Sequence, residues 1–389
     1  MQVMNLVKKV AIACSLILSI SSCLKQNADV PPVVDPPPGG GSSTPITYDW
    51  TKIADTAQSS MNLFWSPSDK YYLQTNTSND WAFYWPNAHA LDILVDGYLR
   101  TSSASLKTKM SDLIAGVYAK NGNTWLNDYY DDMEWMALAN LRAYAATNDV
   151  AFKNVTDVLW SDIKNGWSDD LGGGIWWRKD HPSKNTPSNL PAVILAARLY
   201  QAFNDASDLD WAKKIYAWEK SVLYESTSGL VYDNIATDGT KNTSWKFTYN
   251  QGTFIGAALE LYKITKDVTY LNDAIKAADY TLNSGFYTAN GVLKDEGGGD
   301  GGLFKGVFVR YFNRLIIEGG VETGKKTLYI NFMKKCGETL WSQGTNKSNY
   351  LFGTAWTSAP GTTVDFTVQE SGVMLIEALA ELKKLNLVN

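Results

Sequence analysis

The chain has 389 residues, with 35 basic and 40 acidic side chains and a formal net charge of −5. This balance lacks the basic stripe that would follow a phosphate backbone, so nucleic acid is not an expected partner. Three cysteines do not supply a disulfide framework. One large domain is compatible with this length, because helical toroids exceed the usual domain size.

The N-terminus has the layout of an export signal. Lys8 and Lys9 precede an apolar run at 10–20, and two serines lead to Cys23. This pattern predicts a signal peptide over residues 1–22. The small residues before Cys23 resemble the lipobox of bacterial lipoproteins, which implies that Cys23 is lipidated and anchors the chain to a membrane. An ordinary secretory cleavage near a cysteine is the alternative.

The segment after Cys23 indicates both the cellular location of the mature chain and a linker to the folded domain. No Asp follows Cys23 directly, which favours the outer membrane of a Gram-negative bacterium, facing either the cell surface or the periplasm. Residues 23–47 are rich in Pro, Gly and Ser and predict a tether that is semi-rigid and then flexible. The folded domain is expected to be 48–389.

From residue 48 onward, apolar residues recur at helical spacing, with breaks at Gly, Asn, Asp and Pro. Twelve helices are predicted. Their expected spans are 50–64, 86–101, 104–120, 129–147, 150–166, 188–204, 208–223, 249–265, 268–284, 303–318, 323–343 and 365–385.

A weak internal repeat groups these helices in pairs. Apolar helices end at Tyr144, Tyr200 and Tyr262, and an aspartate follows each tyrosine by five residues, at Asp149, Asp205 and Asp267. Each aspartate is expected to cap the next helix. Six such units would fill 48–389, which predicts an all-α fold, an (α/α)6 toroid of six helical hairpins. An open helical-repeat solenoid is the second choice.

Paired aspartates stand inside the aromatic segment WLNDYYDDMEW at 125–135. Glycosidic cleavage needs one carboxylic acid to protonate the leaving oxygen and one carboxylate to attack or to activate water. Neighbouring carboxyl groups about 5–6 Å apart suit a retaining double displacement, and their repulsion raises one pKa. The alternative is that Asp131 and Asp132 cap a helix or face solvent.

Long Gly-rich and aromatic loops are predicted at 172–177, 233–245, 295–302 and 350–364. Loops of this kind in compact domains are commonly functional. Tryptophan offers a flat apolar face to the C–H side of a sugar.

Several blocks resemble glycoside hydrolase family 76 across 48–389. They are YYDDMEWMALA at 129–139, GGGIWW at 172–177, YNQGTFIGAALELY at 249–262, KDEGGGDGGLFKGVFVRY at 294–311 and QESGVMLIEAL at 369–379. The resemblance implies an (α/α)6 fold, endo-acting α-1,6-mannanase activity on mannan or manno-oligosaccharides, retention of configuration, and neither metal nor cofactor. It also implies that Asp131 is the nucleophile and Asp132 the general acid/base. Spacing alone does not order the two roles.

The matching blocks contain further candidates for mannose binding. They are Trp125, Asn127, Tyr130, Trp176, Trp177, Tyr249, Gln251, Asp300, Lys305 and Gln369. Trp176 and Trp177 are the preferred stacking residues. Trp85 is expected to be either a helix staple or a contact at the rim. Any of these side chains could instead pack a loop.

Two other functions stay open on the residues alone. A non-catalytic glycan-binding lipoprotein would use the same cleft for capture. A toroidal hydrolase of another linkage, such as one acting on uronides, would use the basic loop residues Arg178, Lys179 and Lys305. With only two histidines, a zinc site is not expected. A calcium site at Asp295, Glu296 and Asp300 is the minor metal alternative.

Overall fold

The computed structural model describes residues 47–389. The predicted signal peptide at 1–22, the lipidation of Cys23 and nearly all of the tether lie outside the described residues. Within 47–389, none of the helices combines the length and the apolar character that a membrane span requires.

Residues 47–389 form twelve α-helices, which confirms the predicted set. In chain order they are α1 (Trp50–Ser60), α2 (Tyr84–Thr101), α3 (Ala104–Lys120), α4 (Tyr130–Thr147), α5 (Val150–Ile163), α6 (Leu190–Phe203), α7 (Ala206–Val222), α8 (Thr248–Thr265), α9 (Val268–Asn283), α10 (Gly301–Glu318), α11 (Thr323–Ser342) and α12 (Phe366–Lys384). The helices predicted at 50–64 and 150–166 each end in a tighter 3₁₀ turn, Met61–Phe64 and Lys164–Gly166.

The strands of residues 47–389 are short and pair antiparallel two by two. They are β1 (Trp65–Ser66) with β2 (Tyr71–Tyr72), β3 (Ser183–Asn185) with β6 (Asn234–Ala236), β4 (Tyr224–Glu225) with β5 (Leu230–Val231), and β7 (Thr288–Ala289) with β8 (Val292–Leu293). Among these strand pairs only β3–β6 joins segments distant in the chain, and it ties the predicted loop at 233–245 to the segment that follows the predicted loop at 172–177.

The helices form two concentric rings. Each even-numbered helix packs on the next even-numbered one, and α12 returns to α2. The odd-numbered helices cover this inner ring, with α1 packed on α12. The contact between α12 and α2 closes the ring, so the (α/α)6 toroid is confirmed over the open solenoid.

The sequence repeat marks how inner helices end and outer helices begin. Helices α4, α6 and α8 end in a left-handed residue whose N–H donates to the carbonyl of Tyr144, Tyr200 or Tyr262. The outer helices that follow are capped by the predicted aspartates, each accepting an N–H two residues on: Asp149, Asp205 and Asp267. The repeat therefore marks the turns at which the chain leaves an inner helix and begins the next outer helix.

Close approach of α8 and α10 depends on glycine. A Cβ atom added at Gly252 would lie 2.5 Å from the Cα of Phe308, and one at Gly256 would lie 2.4 Å from Cδ1 of Tyr311. Because the backbones can come this near, Tyr249 on α8 stacks on Phe304 of α10, with ring centroids 4.1 Å apart.

The C-terminal ends of the inner helices surround a cavity of about 770 Å³ with charged walls. Most of those charges are paired across helices. Arg142 and Arg310 contact Asp92 and Asp96. Similar pairs join Arg100 to Glu377, Arg198 to Glu260 and Arg314 to Glu381. This end of the ring is an ion-pair network that joins helices. The paired aspartates lie at the opposite end.

Candidate active site

The N-terminal ends of the inner helices bring the predicted polar residues together. Asp131 and Asp132 lie in the first turn of α4, and Asp300 precedes α10. Tyr249 lies in the first turn of α8, and Trp85 in the first turn of α2. Unpaired N–H groups and the helix dipole favour negative charge at such ends.

Asp131 accepts two hydrogen bonds. One comes from the Trp177 indole Nε1 to Oδ2 (3.0 Å), and the other from the backbone N–H of Asp132 to Oδ1 (3.0 Å). Burial raises the pKa of Asp131 to about 7, although both hydrogen bonds favour its charged form. The indole is placed by backbone pairing between two segments: the N–H of Tyr130 donates to the carbonyl of Trp177 (2.9 Å).

Asp132 has fewer hydrogen-bond donors than Asp131 to stabilise its negative charge. Its Oδ2 accepts one amide hydrogen bond from Asn127 Nδ2 at 3.2 Å. Burial raises the pKa of Asp132 well above its usual range, and the charges of Asp131 and Asp300 add to this shift. The same asparagine accepts the N–H of Tyr129 at 3.0 Å, which fixes the turn into α4.

The two carboxyl groups are therefore chemically unequal. Asp131 has two N–H donors aimed at its oxygens and is the easier one to ionise. Asp132 has one donor and two acidic neighbours, so it retains its proton to higher pH. A pair of carboxyl groups whose environments separate their pKa values can divide the roles of base or nucleophile and acid.

Asp233 belongs to the site but was not among the predicted residues. It is 2% exposed and accepts hydrogen bonds from the Tyr249 hydroxyl (2.8 Å) and Asn250 Nδ2 (3.1 Å). Its charge contributes to the raised pKa of Asp131. In the sequence it is one aspartate in a long loop, and only the pairing of β3 with β6 and the start of α8 place it.

Two further contacts cross the ring opening. The Trp85 indole Nε1 donates to Asp300 Oδ1 at 3.1 Å, linking α2 to α10. The Tyr84 hydroxyl donates to the carbonyl of Trp125 at 2.7 Å, while the Trp125 ring packs on Tyr118. Both tryptophans thus lie at the rim. Sugar contacts by Trp125, Asn127, Trp177, Tyr249 and Asp300 stay predictions.

Three predicted substrate residues are buried behind the loops. Gln251 holds 229–231 through the carbonyl of Gly229 and the N–H of Val231. Gln369 holds 350–352 in the same way. Lys305 donates to the carbonyl of Thr354, and burial lowers its pKa to about 8. All three are at most 2% exposed and position these loops, so their sugar contacts stay predictions that this geometry does not favour.

The two other buried candidates pack within the loop region. Trp176 is 5% exposed, stacks on His181 and carries the Lys184 ammonium 4.7 Å from its ring centroid. Tyr130 is 4% exposed and faces Gly166, where an added Cβ would lie 2.8 Å from the phenol ring. Both side chains thus pack within the protein, and their role in a subsite stays a prediction. Of the adjacent tryptophans, only Trp177 turns toward the aspartates.

The glycines beside Trp176 serve packing rather than ligand approach. Gly173 and Gly174 have φ of +124° and +91°, and a Cβ at either would lie within 2.8 Å of a tryptophan ring, Trp167 or Trp218. A side chain at either position would meet both strain and a clash.

The acidic loop before α10 is occupied by protein contacts. Asp295 accepts the hydroxyl of Thr354, and Glu296 accepts both the N–H and the hydroxyl of Thr248. Across 47–389, no group of three or more His, Cys, Asp or Glu side chains is arranged to hold a metal ion. Asp295 and Glu296, two of the carboxyls considered for calcium, thus tie this loop to Thr354 and Thr248.

Comparison with known proteins gives a family match over nearly the whole described chain. The family model "Glycosyl hydrolase family 76" matches residues 49–385. Among curated proteins, the mannan endo-1,6-alpha-mannosidase DCW1 of Saccharomyces cerevisiae is 32% identical over 128 residues, which cover 30% of this chain and 28% of the yeast protein. The match thus spans less than a third of that relative's length.

Solved structures give longer matches. The GH76A alpha-1,6-mannanase from Salegentibacter sp. HEL1_6 is 46% identical with a TM-score of 0.84, over 86% of this chain and 100% of that chain. An inactive variant of that enzyme, with two consecutive aspartates replaced by asparagine, is in complex with alpha-1,6-mannotriose; it is 45% identical with a TM-score of 0.83, at the same coverage.

Proposed function

Because this chain belongs to glycosyl hydrolase family 76, we propose that it is a retaining glycoside hydrolase that cleaves internal α-1,6-mannosidic linkages of mannan. The observation that carries the proposal is the unequal carboxyl pair at the opening of the inner ring, with Asp131 stabilised by two N–H donors and Asp132 by one. The complex of a similar mannanase with α-1,6-mannotriose supports the choice of substrate.

In the first step, ionised Asp131 attacks the anomeric carbon of the mannose on the glycone side. A bond forms between a carboxylate oxygen and C1 as the bond from C1 to the glycosidic oxygen breaks. Asp132 gives its proton to that oxygen, which leaves as the 6-hydroxyl of the departing chain. The Trp177 indole and the N–H of Asp132 keep Asp131 charged and oriented before attack.

In the second step, the ester at Asp131 is hydrolysed. Once Asp131 is esterified its negative charge is gone, so one of the interactions that raise the pKa of Asp132 is removed. Asp132, having lost its proton, then accepts a proton from water as the water oxygen attacks C1. The carboxylate of Asp131 is released and the new hydroxyl has the original α configuration.

The basic residues considered for a uronide substrate are already engaged. Arg178 pairs with Asp180 at 2.8 Å and Lys179 with Asp162 at 2.9 Å, while Lys305 is buried against a carbonyl. They therefore do not converge on a common point near Asp131. The neutral mannose chain is the better fit.

The direct test is incubation of the 48–389 domain with linear α-1,6-mannan while product sizes are followed with time. The proposal predicts a ladder of short manno-oligosaccharides early in the reaction. Retardation of the protein by mannan without new reducing ends would support the glycan-binding alternative instead, and release of mannose alone would contradict internal cleavage.

Trp177→Phe is expected to shift the pH dependence of catalysis. Without the indole donor the charged form of Asp131 loses a hydrogen bond, so its pKa rises and the acidic limb of kcat/KM moves to higher pH by about one unit. The loss should be about tenfold at low pH and smaller at alkaline pH. Measurement of kcat/KM across the pH range tests this, and an unshifted acidic limb would contradict the role of Trp177.

We also propose that the mature chain is an outer-membrane lipoprotein anchored through Cys23, which is supported by the lipobox-like sequence at the end of the apolar run. Cys23→Ala is expected to abolish incorporation of labelled fatty acid and to move the protein from the membrane to the soluble fraction. Cys14→Ala, inside the predicted signal, is the matched control and should leave lipid incorporation unchanged. Equal labelling of the Cys23→Ala protein would contradict the anchor.

A further inference from the structure

Phe83 combines a strained backbone with an exposed ring. It directly precedes α2 with φ 64° and ψ 177°, a region that is essentially confined to glycine. Its side chain is 55% exposed. None of the aromatic ring contacts within 47–389 involves this phenylalanine. The fold thus carries both strain and an exposed apolar group at one residue.

Buried contacts on either side impose this conformation. Asn87 is fully buried; its Nδ2 donates to the carbonyl of Phe83 (2.8 Å), while its Oδ1 accepts the N–H of Tyr72 (2.8 Å). The N–H of Ala82 donates to the carbonyl of Tyr72 at 2.9 Å. These bonds fix the backbone but do not require a phenyl ring. Glycine at position 83 would satisfy all of them without strain.

The position of Phe83 relates it to one half of the carboxyl pair. The next two residues are Tyr84, whose hydroxyl meets the segment before α4, and Trp85, which donates to Asp300. Asp300 acts electrostatically on Asp132. Asp131 is instead contacted by Trp177, from a different loop. The segment that begins at Phe83 therefore adjoins the Asp132 side of the site, because Tyr84 meets the carbonyl of Trp125, two residues before the Asn127 that donates to Asp132.

We propose that the Phe83 ring is a stacking platform for the mannose units on the leaving-group side of the scissile bond. This inference rests on the proposed function, in which Asp132 protonates the leaving oxygen and the departing chain extends from that oxygen. A flat apolar ring in that place packs against the C–H face of a pyranose. Binding of the chain beyond the cleaved bond favours internal cleavage over removal of end sugars.

The test compares two substrates in wild type, Phe83→Gly, Phe83→Leu and Phe83→Trp. Linear α-1,6-mannan occupies the leaving-group side with sugars, whereas an aryl α-1,6-mannobioside places only the aryl group there. For Phe83→Gly and Phe83→Leu we expect kcat/KM on mannan to fall about tenfold, with a several-fold smaller loss on the aryl substrate. Phe83→Trp should stay within about twofold of wild type on mannan.

The melting temperature of Phe83→Gly distinguishes a sugar-stacking role of Phe83 from a purely structural role. Phe83→Gly is expected to raise Tm by about 1–3 °C, because glycine adopts the conformation without strain, while activity on mannan falls. Phe203→Ala, which removes a half-exposed phenylalanine at the other end of the ring, is the matched control and should leave both rates unchanged.

Two results would overturn the inference alone: wild-type rates on mannan in Phe83→Gly and Phe83→Leu, or equal losses on the two substrates. A fall in Tm for Phe83→Gly would contradict the strain argument, and a retained mannan rate in Phe83→Leu would then overturn the platform. A wild-type protein that cleaves the aryl substrate and leaves mannan intact would instead overturn the proposed function, and the inference with it.

Discussion

Asp131→Asn and Asp132→Asn are each expected to lower kcat on α-1,6-mannan by about four orders of magnitude. The first variant cannot form the ester and the second has no proton to give to the leaving oxygen. Product release from mannan, measured against wild type, tests the pair. Asp128→Asn, an exposed aspartate three residues before the pair, is the matched control and should keep wild-type activity.

The fold should withstand both substitutions. Burial raises the pKa of both aspartates, so each binds its proton more tightly in the folded than in the unfolded chain. Such groups stabilise the fold at low pH, and this contribution is lost as pH rises from about 4 through the folded pKa. At neutral pH either Asn variant should therefore melt at or above the wild-type Tm. A marked fall in Tm would show that the lost activity reflects misfolding.

Azide can show which aspartate of the pair is the nucleophile and which is the general acid/base. With an aryl α-mannoside donor, Asp132→Asn should still form the ester, and azide attack on it yields an α-mannosyl azide. Asp131→Asn cannot form the ester, so azide would enter once from the opposite face and give the β product. The opposite pairing of variants and products would reverse the assignment of nucleophile and acid/base.

Arg310→Ala is expected to lower the free energy of unfolding by about 3 kcal/mol at neutral pH. The Arg310 guanidinium lies 2.8 Å from both Asp92 and Asp96, although its Nε is not aligned for a hydrogen bond to Asp92. Burial opposes ionisation of Asp96, but the charges of Arg310 and Arg142 bring its pKa down to about 2. Loss of Arg310 leaves the buried Asp92 and the partly buried Asp96 with Arg142 as their one charged partner.

The pH dependence of this loss has a definite sign. A carboxyl with a lowered folded pKa stabilises the fold above about pH 4, and this contribution disappears as pH falls toward 2. The effect of Arg310→Ala should therefore be large at pH 7 and shrink in acid. Denaturant unfolding at both pH values measures it. Lys153→Ala, which breaks an exposed pair with Asp157, should cost less than about 0.5 kcal/mol. Equal losses in the two variants would contradict the network.

The helices and the ring were accessible from the sequence because their signals are local. Apolar periodicity predicted the twelve helices. Asp149, Asp205 and Asp267 predicted where three outer helices begin, because each side chain caps its helix by accepting an N–H two residues further on. The paired aspartates were found because their aromatic context is contiguous. Each of these features depends on residues close together in the chain.

The surroundings of the pair depend on contacts between distant segments. Trp177 reaches Asp131, while its neighbour Trp176 packs into the protein. The pairing of 177–179 with 128–130 decides which of the two side chains turns toward the aspartates. Gln251 and Lys305 occupy the same blocks as Tyr249 and Asp300, yet they lie two and five residues further along their helices and are buried. Asp233 needed the β3–β6 pairing to be placed.

The most direct test of the account is the anomeric configuration of the first product released from an α-1,6-manno-oligosaccharide, followed by proton NMR before mutarotation. A retaining mechanism through an ester on Asp131 predicts that the α anomer appears first and that the equilibrium mixture follows. The β anomer as first product would contradict the double displacement and would make Asp131 a base that activates water.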